Sequence, residues 1–213
     1  KFTYVQEGRP VTPEFDDSTM TEDCEILDGV PVQIGLDFGL TPAAIFGQRT
    51  TKGRWNILHE LVTFDMGLER FGEMLKSELA SKFPKFEVLV HGDPAGMKRD
   101  EIYEVTAFDH LRSIGLTARP TASNDFRVRR EAGAMPMNRL IDGKPGLLVD
   151  KRCQRLRKAL SGGYHFKRVQ ISGGERYRDA PNKNEHSHVG DAFMYLLLGG
   201  GEHKRLTRGT NNK

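Results

Sequence analysis

The sequence predicts an α/β domain built on a mixed sheet, an antiparallel meander joined to parallel strands, with helices covering both faces. Two observations predict it. Strand-like runs at 32–38, 43–49 and 55–62 are separated only by the turn-forming "GLTP" and "TTKGR", so an antiparallel meander is the economical pairing. After residue 62, helical and extended patterns alternate.

Residues 1–31 are polar and turn-rich ("GRPVTPEF", "DDSTMTEDCE", "DGVP") and read as one or two edge strands and a loop. The abrupt start "KFTYVQEGRPV" is expected of a segment cut from a longer chain. Trp55 and Phe46 lie in strand-like runs and are assigned to the core. "GLERFGEMLKSELASKF" sets Leu68, Phe71, Leu75 and Leu79 at helical spacing, and Pro84 closes that region. "KFEVLVHGDPAG" reads as a buried strand running into a turn, "EVTAFDHLRSIG" as a helix and "LTARPT" as a short strand. A helix over 126–140 with a kink at Pro136 comes next, then a strand "GLLVD" and a helix "KRCQRLRKALSGG" ending on glycines. "YHFKRVQISGGERYRD" reads as a hairpin. A helix over 187–198 follows, and 200–213 is expected to be a flexible tail of a single domain, 1–213.

At 213 residues, 37% hydrophobic and 29% charged, the chain is long and apolar enough to bury one core, which excludes the disordered class. No apolar stretch approaches the roughly eighteen residues of a membrane span, and no signal-peptide core is present, so a cytosolic setting with no membrane partner is expected. Cys24 and Cys153 are expected as reduced thiols, and without a C-x-x-C there is no zinc ribbon. The net charge of +3 is regional: residues 127–178 hold 14 Lys and Arg against 4 Asp and Glu, a balance of +10, leaving −7 for the rest. Such an excess favours a polyanionic partner.

Three aspartates stand out. In "VQIGLDF" the alternation puts Val32, Ile34 and Leu36 on one face and Gln33, Gly35 and Asp37 on the other; Gly35 and Gly39 leave that second face open to another element. Asp93 stands where "VLVHGD" stops, at a strand end. In "NEHSHVGDAFMYLLL", His188, Asp191, Tyr195 and Leu198 share one helix face. Each aspartate also has a structural reading: Asp93 as a turn former, Asp191 as an acid favoured by a helix dipole, Asp37 as a strand terminator. Together, three carboxylates at one sheet end would repel one another unless a cation neutralised them. Oxygen-rich ligands suit Mg²⁺ or Mn²⁺, and two such ions about 3.5–4 Å apart support phosphodiester cleavage.

The ordered set "EGRPVTPEF", "GLDFGLTPAAIFGQ", "HGDPAG", "GKPGLLVDKRCQRLRKALSGGYHFKR" and "NKNEHSHVGDAFMYLLL" resembles the C-terminal nuclease domain of the large terminase subunit of tailed bacteriophages, over nearly the whole chain. The resemblance implies a ribonuclease H-like fold and cleavage of concatemeric viral double-stranded DNA during packaging. It implies that Asp37, Asp93 and Asp191 are catalytic ligands of two Mg²⁺ or Mn²⁺ ions, with His188 beside the metals as a ligand or a neighbour; His186, one residue off that helix face, is expected to be exposed. It implies a packaging ATPase N-terminal to this segment, a portal protein and a small terminase subunit as partners, and action in the host cytoplasm at the procapsid portal rather than in the mature virion. No G-x-x-x-x-G-K-[ST] loop is present, so this segment is not expected to hydrolyse ATP.

Arg127, Arg129, Arg130, Lys151, Arg152, Arg155, Arg157 and Lys158 are candidates for a DNA path, with Lys167, Arg168, Arg176 and Arg178 flanking the hairpin. Two other readings remain open here: a Holliday-junction resolvase or transposase-like enzyme of the same fold, and a non-catalytic module that binds DNA or docks on the portal.

Overall fold

The computed structural model describes residues 8–39, 41–98, 105–169 and 176–202. Its strands and helices, in chain order, are β1 (Gly8–Pro10), β2 (Thr21–Glu22), β3 (Val32–Asp37), β4 (Ala43–Arg49), β5 (Trp55–Val62), α1 (Leu68–Lys82), β6 (Val88–Gly92), α2 (Ala107–Ser113) and β7 (Thr117–Pro120). They continue with α3 (Phe126–Ala134), β8 (Leu140–Ile141), β9 (Lys144–Pro145), β10 (Leu147–Asp150), α4 (Gln154–Lys158), β11 (His165–Val169), β12 (Arg176–Tyr177) and α5 (Ser187–Gly199). The expected meander is present: β3 pairs antiparallel with β4, and β4 with β5. The second turn closes on Gly53 at φ 91°, a left-handed conformation that glycine adopts without strain.

Seven strands form the main sheet in the order β2-β10-β5-β4-β3-β6-β7, with β6 and β7 parallel to β3 on one side and β10 parallel to β5 on the other. Side-chain alternation along β3 divides the core. Val32, Ile34 and Leu36 pack with Phe71, Leu75 and Leu79 of α1 and Phe108 and Leu111 of α2. The other face carries Ala43, Ile45 and Trp55 against Phe193, Met194 and Leu197 of α5. On that face α5 crosses β3 at Gly35, where a Cβ would lie 2.1 Å from the Ala192 carbonyl oxygen. The open face expected from Gly35 is therefore the seat of a helix.

Three sequence expectations change. The helix over 126–140 ends at Ala134 rather than kinking, because Pro136 has no N–H to continue the ladder and its ring crowds the preceding turn. Residues 140–145 instead form a β8–β9 hairpin around Asp142 (φ 52°) and Gly143 (φ 74°), the two left-handed positions of a tight turn. His186 is half-buried against the Gly163 backbone rather than exposed.

The third change is at the tail. Residues 203–213 fall outside the described residues, but Glu202 is fully buried. Its carboxylate accepts hydrogen bonds from Trp55 Nε1 (2.9 Å) and, bidentately, from Arg139 (2.7 and 2.9 Å). Burial opposes its ionisation, but the Arg139 and Trp55 bonds outweigh it and hold the carboxyl below its usual range. A depressed carboxyl contributes stability above its unfolded pKa and loses it as pH falls through the folded one. Glu202→Gln is expected to cost about 2 kcal/mol at neutral pH and to flatten the acid limb of stability. Urea melts at neutral and acidic pH check this; an unchanged midpoint would refute the anchoring role.

Both cysteines are free, as expected; both are also buried, and burial lifts the Cys24 thiol to about 12.

Candidate active site

β3 and β6 run parallel with Leu36 opposite Gly92, so Asp37 and Asp93 stand at the carboxyl ends of adjacent strands, and the Asp93 N–H donates to the Leu36 carbonyl at 3.3 Å. Strand ends of this kind are where open α/β sheets gather their ligands. Asp37 is 7% exposed. Burial pushes its carboxyl up, the His188 hydrogen bond pulls it back, and Asp191 adds to the rise. Asp93 caps the 3-10 turn Pro94–Met97, Oδ1 accepting from the Ala95 N–H at 2.8 Å, so its turn-forming role is realised.

The helix face read from the sequence converges on these strand ends. His188 Nδ1 lies 2.7 Å from Asp37 Oδ2, and that bond raises the imidazole pKa against the effect of its partial burial. Two turns along, the Tyr195 hydroxyl hydrogen-bonds Asp93; burial, with Asp93 adding, raises the phenol above its usual range. Between them, Asp191 sits in the second turn of α5 rather than at its cap and is 2% exposed. Its Oδ1 accepts from the Tyr164 hydroxyl at 3.0 Å and its Oδ2 from Lys183 Nζ at 2.6 Å. Arg129 Nη1 is 3.0 Å from Oδ1 as an ion pair without hydrogen-bond geometry.

Arg129 is a correction. It is 7% exposed, its guanidinium lies 4.7 Å from the Tyr195 ring centroid, and burial acting against its charge is outweighed by Asp191. Pairing with a buried carboxylate removes it from any surface DNA path. Lys183 and Tyr164 are the residues that sequence reasoning missed; neither lies on the helix face or in a charge run that would have singled it out. Among the described residues, no three His, Cys, Asp or Glu side chains meet closely enough to form a ready-made metal cage. Two protein cations, Lys183 and Arg129, sit on one of the carboxylates, Asp191.

The other basic candidates divide into two sets. Arg130 pairs with Glu14, Lys151 with Asp23 and Arg157 with Asp17, so acids of the N-terminal segment neutralise three charges of the regional excess, and Arg152 pairs with Asp150, an acid already counted in it. Arg155 lies over the Phe64 ring, and Lys158 and Arg168 also have interaction partners. Arg127, Lys167, Arg176 and Arg178 are exposed. The hairpin read at 164–179 is present as β11 and β12, paired antiparallel, with its tip outside the described residues.

A meander feeding parallel strands, with a helix crossing the central strand and carrying an acid to its end, defines a ribonuclease H-like fold. Among solved structures it is the fold of the nuclease domains of phage large terminases. The P22 large terminase nuclease domain matches at TM-score 0.64 and 12% identity, over 90% of this chain and 92% of that one. The g2p (large terminase) nuclease domain from bacteriophage SPP1, with bound Mn, matches at 0.55 and 15%, over 84% and 95%. A large terminase from a thermophilic bacteriophage matches at 0.64 and 15%, over 92% of this chain and 46% of its own, so the chain spans less than half of that protein. No protein-family model and no curated protein matches the chain.

Proposed function

We propose that the chain is a divalent-metal-dependent endonuclease that cuts concatemeric viral double-stranded DNA during genome packaging, by two-metal-ion hydrolysis of the phosphodiester. The observation that carries this reading is the arrival of Asp191, on α5, beside the strand ends that bear Asp37 and Asp93. The fold shared with terminase nuclease domains supports it, and the manganese in the SPP1 structure supports a divalent ion.

The donor chemistry suits hard cations, three carboxylates with an imidazole hydrogen-bonded to one of them, and bound ions would have to draw the three closer together than they stand here. Buried negative charge here already attracts Lys183 and Arg129, the response expected of a site that needs positive charge. Asp37, Asp93 and Asp191 would hold the ions. Paired divalent ions, when bound, supply an acidified water and stabilise the leaving oxygen. Tyr164 and Arg129 fix the Asp191 carboxylate, and Asp37 orients His188. Lys183, whose side chain is 67% exposed, is able to swing from Asp191 to solvent or phosphate.

Lys183→Gln is accordingly expected to raise Mn²⁺ affinity, on the order of tenfold or less because the lysine is screened by water. A Mn²⁺ titration followed by electron paramagnetic resonance reads this directly; weaker binding in the variant would make Lys183 a support of the site rather than a competitor.

In this reading ATP hydrolysis belongs to an N-terminal ATPase of the longer chain, and the portal and a small terminase subunit direct the cut in the host cytoplasm. The test is nicking and linearisation of supercoiled plasmid in Mg²⁺, Mn²⁺ or excess EDTA. Metal-dependent linearisation is expected. Cutting confined to four-way junctions would favour a resolvase, and DNA binding without cleavage, even with the ATPase portion added, would favour a docking module.

A further inference from the structure

A groove of about 900 Å³ runs between β1, the start of α3 and the β11–β12 hairpin. Its rings, Phe126, Phe166 and Tyr177, pack against the core, with Phe126 edge-on to Phe166 at 5.9 Å. Arg9 lies over this floor, its guanidinium 4.8 Å from the Phe166 centroid and 5.5 Å from that of Tyr177. The ring quadrupoles hold the guanidinium over the floor while Arg9 itself stays exposed. Arg127, Arg176 and Arg178 also line the groove, and among the described residues none of the three has a side-chain partner. Arg130, by contrast, is bound to Glu14. Glu131 and Asp179 are the acids of the lining.

We infer that this groove holds the phosphate backbone of duplex DNA flanking the cut, with Arg9, Arg127, Arg176 and Arg178 as its phosphate contacts. The inference rests on the nuclease reading and names the surface that carries its substrate. Four arginines facing one channel repel one another unless a polyanion lies between them, and their planar donors match phosphate oxygens. Arg9 already lies over the Phe166 and Tyr177 rings, and Phe126 packs edge-on to Phe166, so an unpaired base could stack on the Arg9 side of Phe166 or Tyr177 only by displacing Arg9. Backbone contact without stacking is the signature of a duplex held without sequence preference, rather than of a single strand. The groove also joins the acidic centre through α3, which contributes Phe126 and Arg127 to the lining and turns Arg129 to Asp191.

The experiment is fluorescence anisotropy of a short labelled duplex in EDTA, where nothing is cut, at several salt concentrations. Wild type is compared with Arg9→Ala, with Arg127→Ala/Arg176→Ala/Arg178→Ala, and with Lys76→Ala of α1 as control. The triple variant is expected to bind at least about tenfold more weakly and to flatten the slope of log K against log salt by about one for each phosphate that is no longer neutralised. Arg9→Lys, which keeps charge and fold but loses the stacked plane, is expected to fall between wild type and Arg9→Ala. Wild-type affinity and slope in the triple variant would overturn the inference, as would tighter binding of single-stranded competitor than of duplex. An acidic-peptide site would give that same unchanged DNA binding. A chain that never cuts plasmid yet loses duplex binding with these substitutions would refute the nuclease reading and leave the groove standing.

Discussion

Asp37→Ala is expected to abolish metal-dependent plasmid cleavage, by roughly a thousandfold or more, while the protein stays folded. Loss of one of three carboxylates that would hold the metals removes several kcal/mol of transition-state stabilisation. The fold is expected to tolerate the change because Asp37 is 7% exposed and burial raises its carboxyl, which marks its ionised form as a cost to folding. His188 loses the bond that raises its pKa and falls back toward the ordinary range. Two measurements separate the possibilities. Single-turnover nicking reads the chemistry, and thermal melts with and without Mn²⁺ read binding, since a ligand that binds only the folded state raises Tm. Wild type should gain stability from Mn²⁺ and the variant should gain little. Full nicking activity in Asp37→Ala would sink the three-carboxylate reading, whereas unfolding in EDTA would assign Asp37 a structural role.

Much of this was legible because the sheet has a two-residue period and its central strand breaks that period in an informative way. Val32, Ile34 and Leu36 face one core, and the glycine and acid positions opposite are where α5 crosses. The helix face of His188, Asp191 and Tyr195 was readable for the same reason: three- and seven-residue spacing fixes direction before any contact is known. What the sequence hid was pairing. Arg129 counts as one more cation in a basic run, and only the crossing of α3 and α5 shows that it belongs to Asp191. The acids Glu14, Asp17 and Asp23 lie far from Arg130, Arg157 and Lys151 in sequence, so the charge excess of 127–178 looked freer than it is. The β8–β9 hairpin was a different failure. "IDGK" carries a strong hairpin signal, but the helical reading of 126–140 ran past Pro136 and obscured it.

Gly35→Ala is expected to destabilise the protein by about 3 kcal/mol or more and to weaken metal binding in whatever remains folded. The added Cβ would lie 2.1 Å from the Ala192 carbonyl oxygen, 2.4 Å from the Leu196 nitrogen and 2.6 Å from the Leu196 Cβ. Two of those atoms are helix backbone, so no side-chain rotation relieves the clash and α5 itself must lift from β3. Overpacking usually costs about 1–3 kcal/mol, and a contact against backbone lies at the upper end; for a chain of this length that lowers Tm by roughly 10 °C. Gly47→Ala is the natural comparison, because its Cβ would meet the Asn56 carbonyl oxygen and the Ile57 and Leu196 side-chain tips at 3.2 Å, which small shifts absorb. The functional consequence follows from what α5 carries. Lifting it moves His188 from Asp37, Tyr195 from Asp93 and Asp191 from the strand ends together. A Gly35→Ala protein that melts like wild type and binds Mn²⁺ equally would mean that the approach of α5 to β3 does not set the acidic centre. The expected pairing of lower Tm with weaker Mn²⁺ binding would tie the absent side chain of one strand residue to the geometry of all three acids.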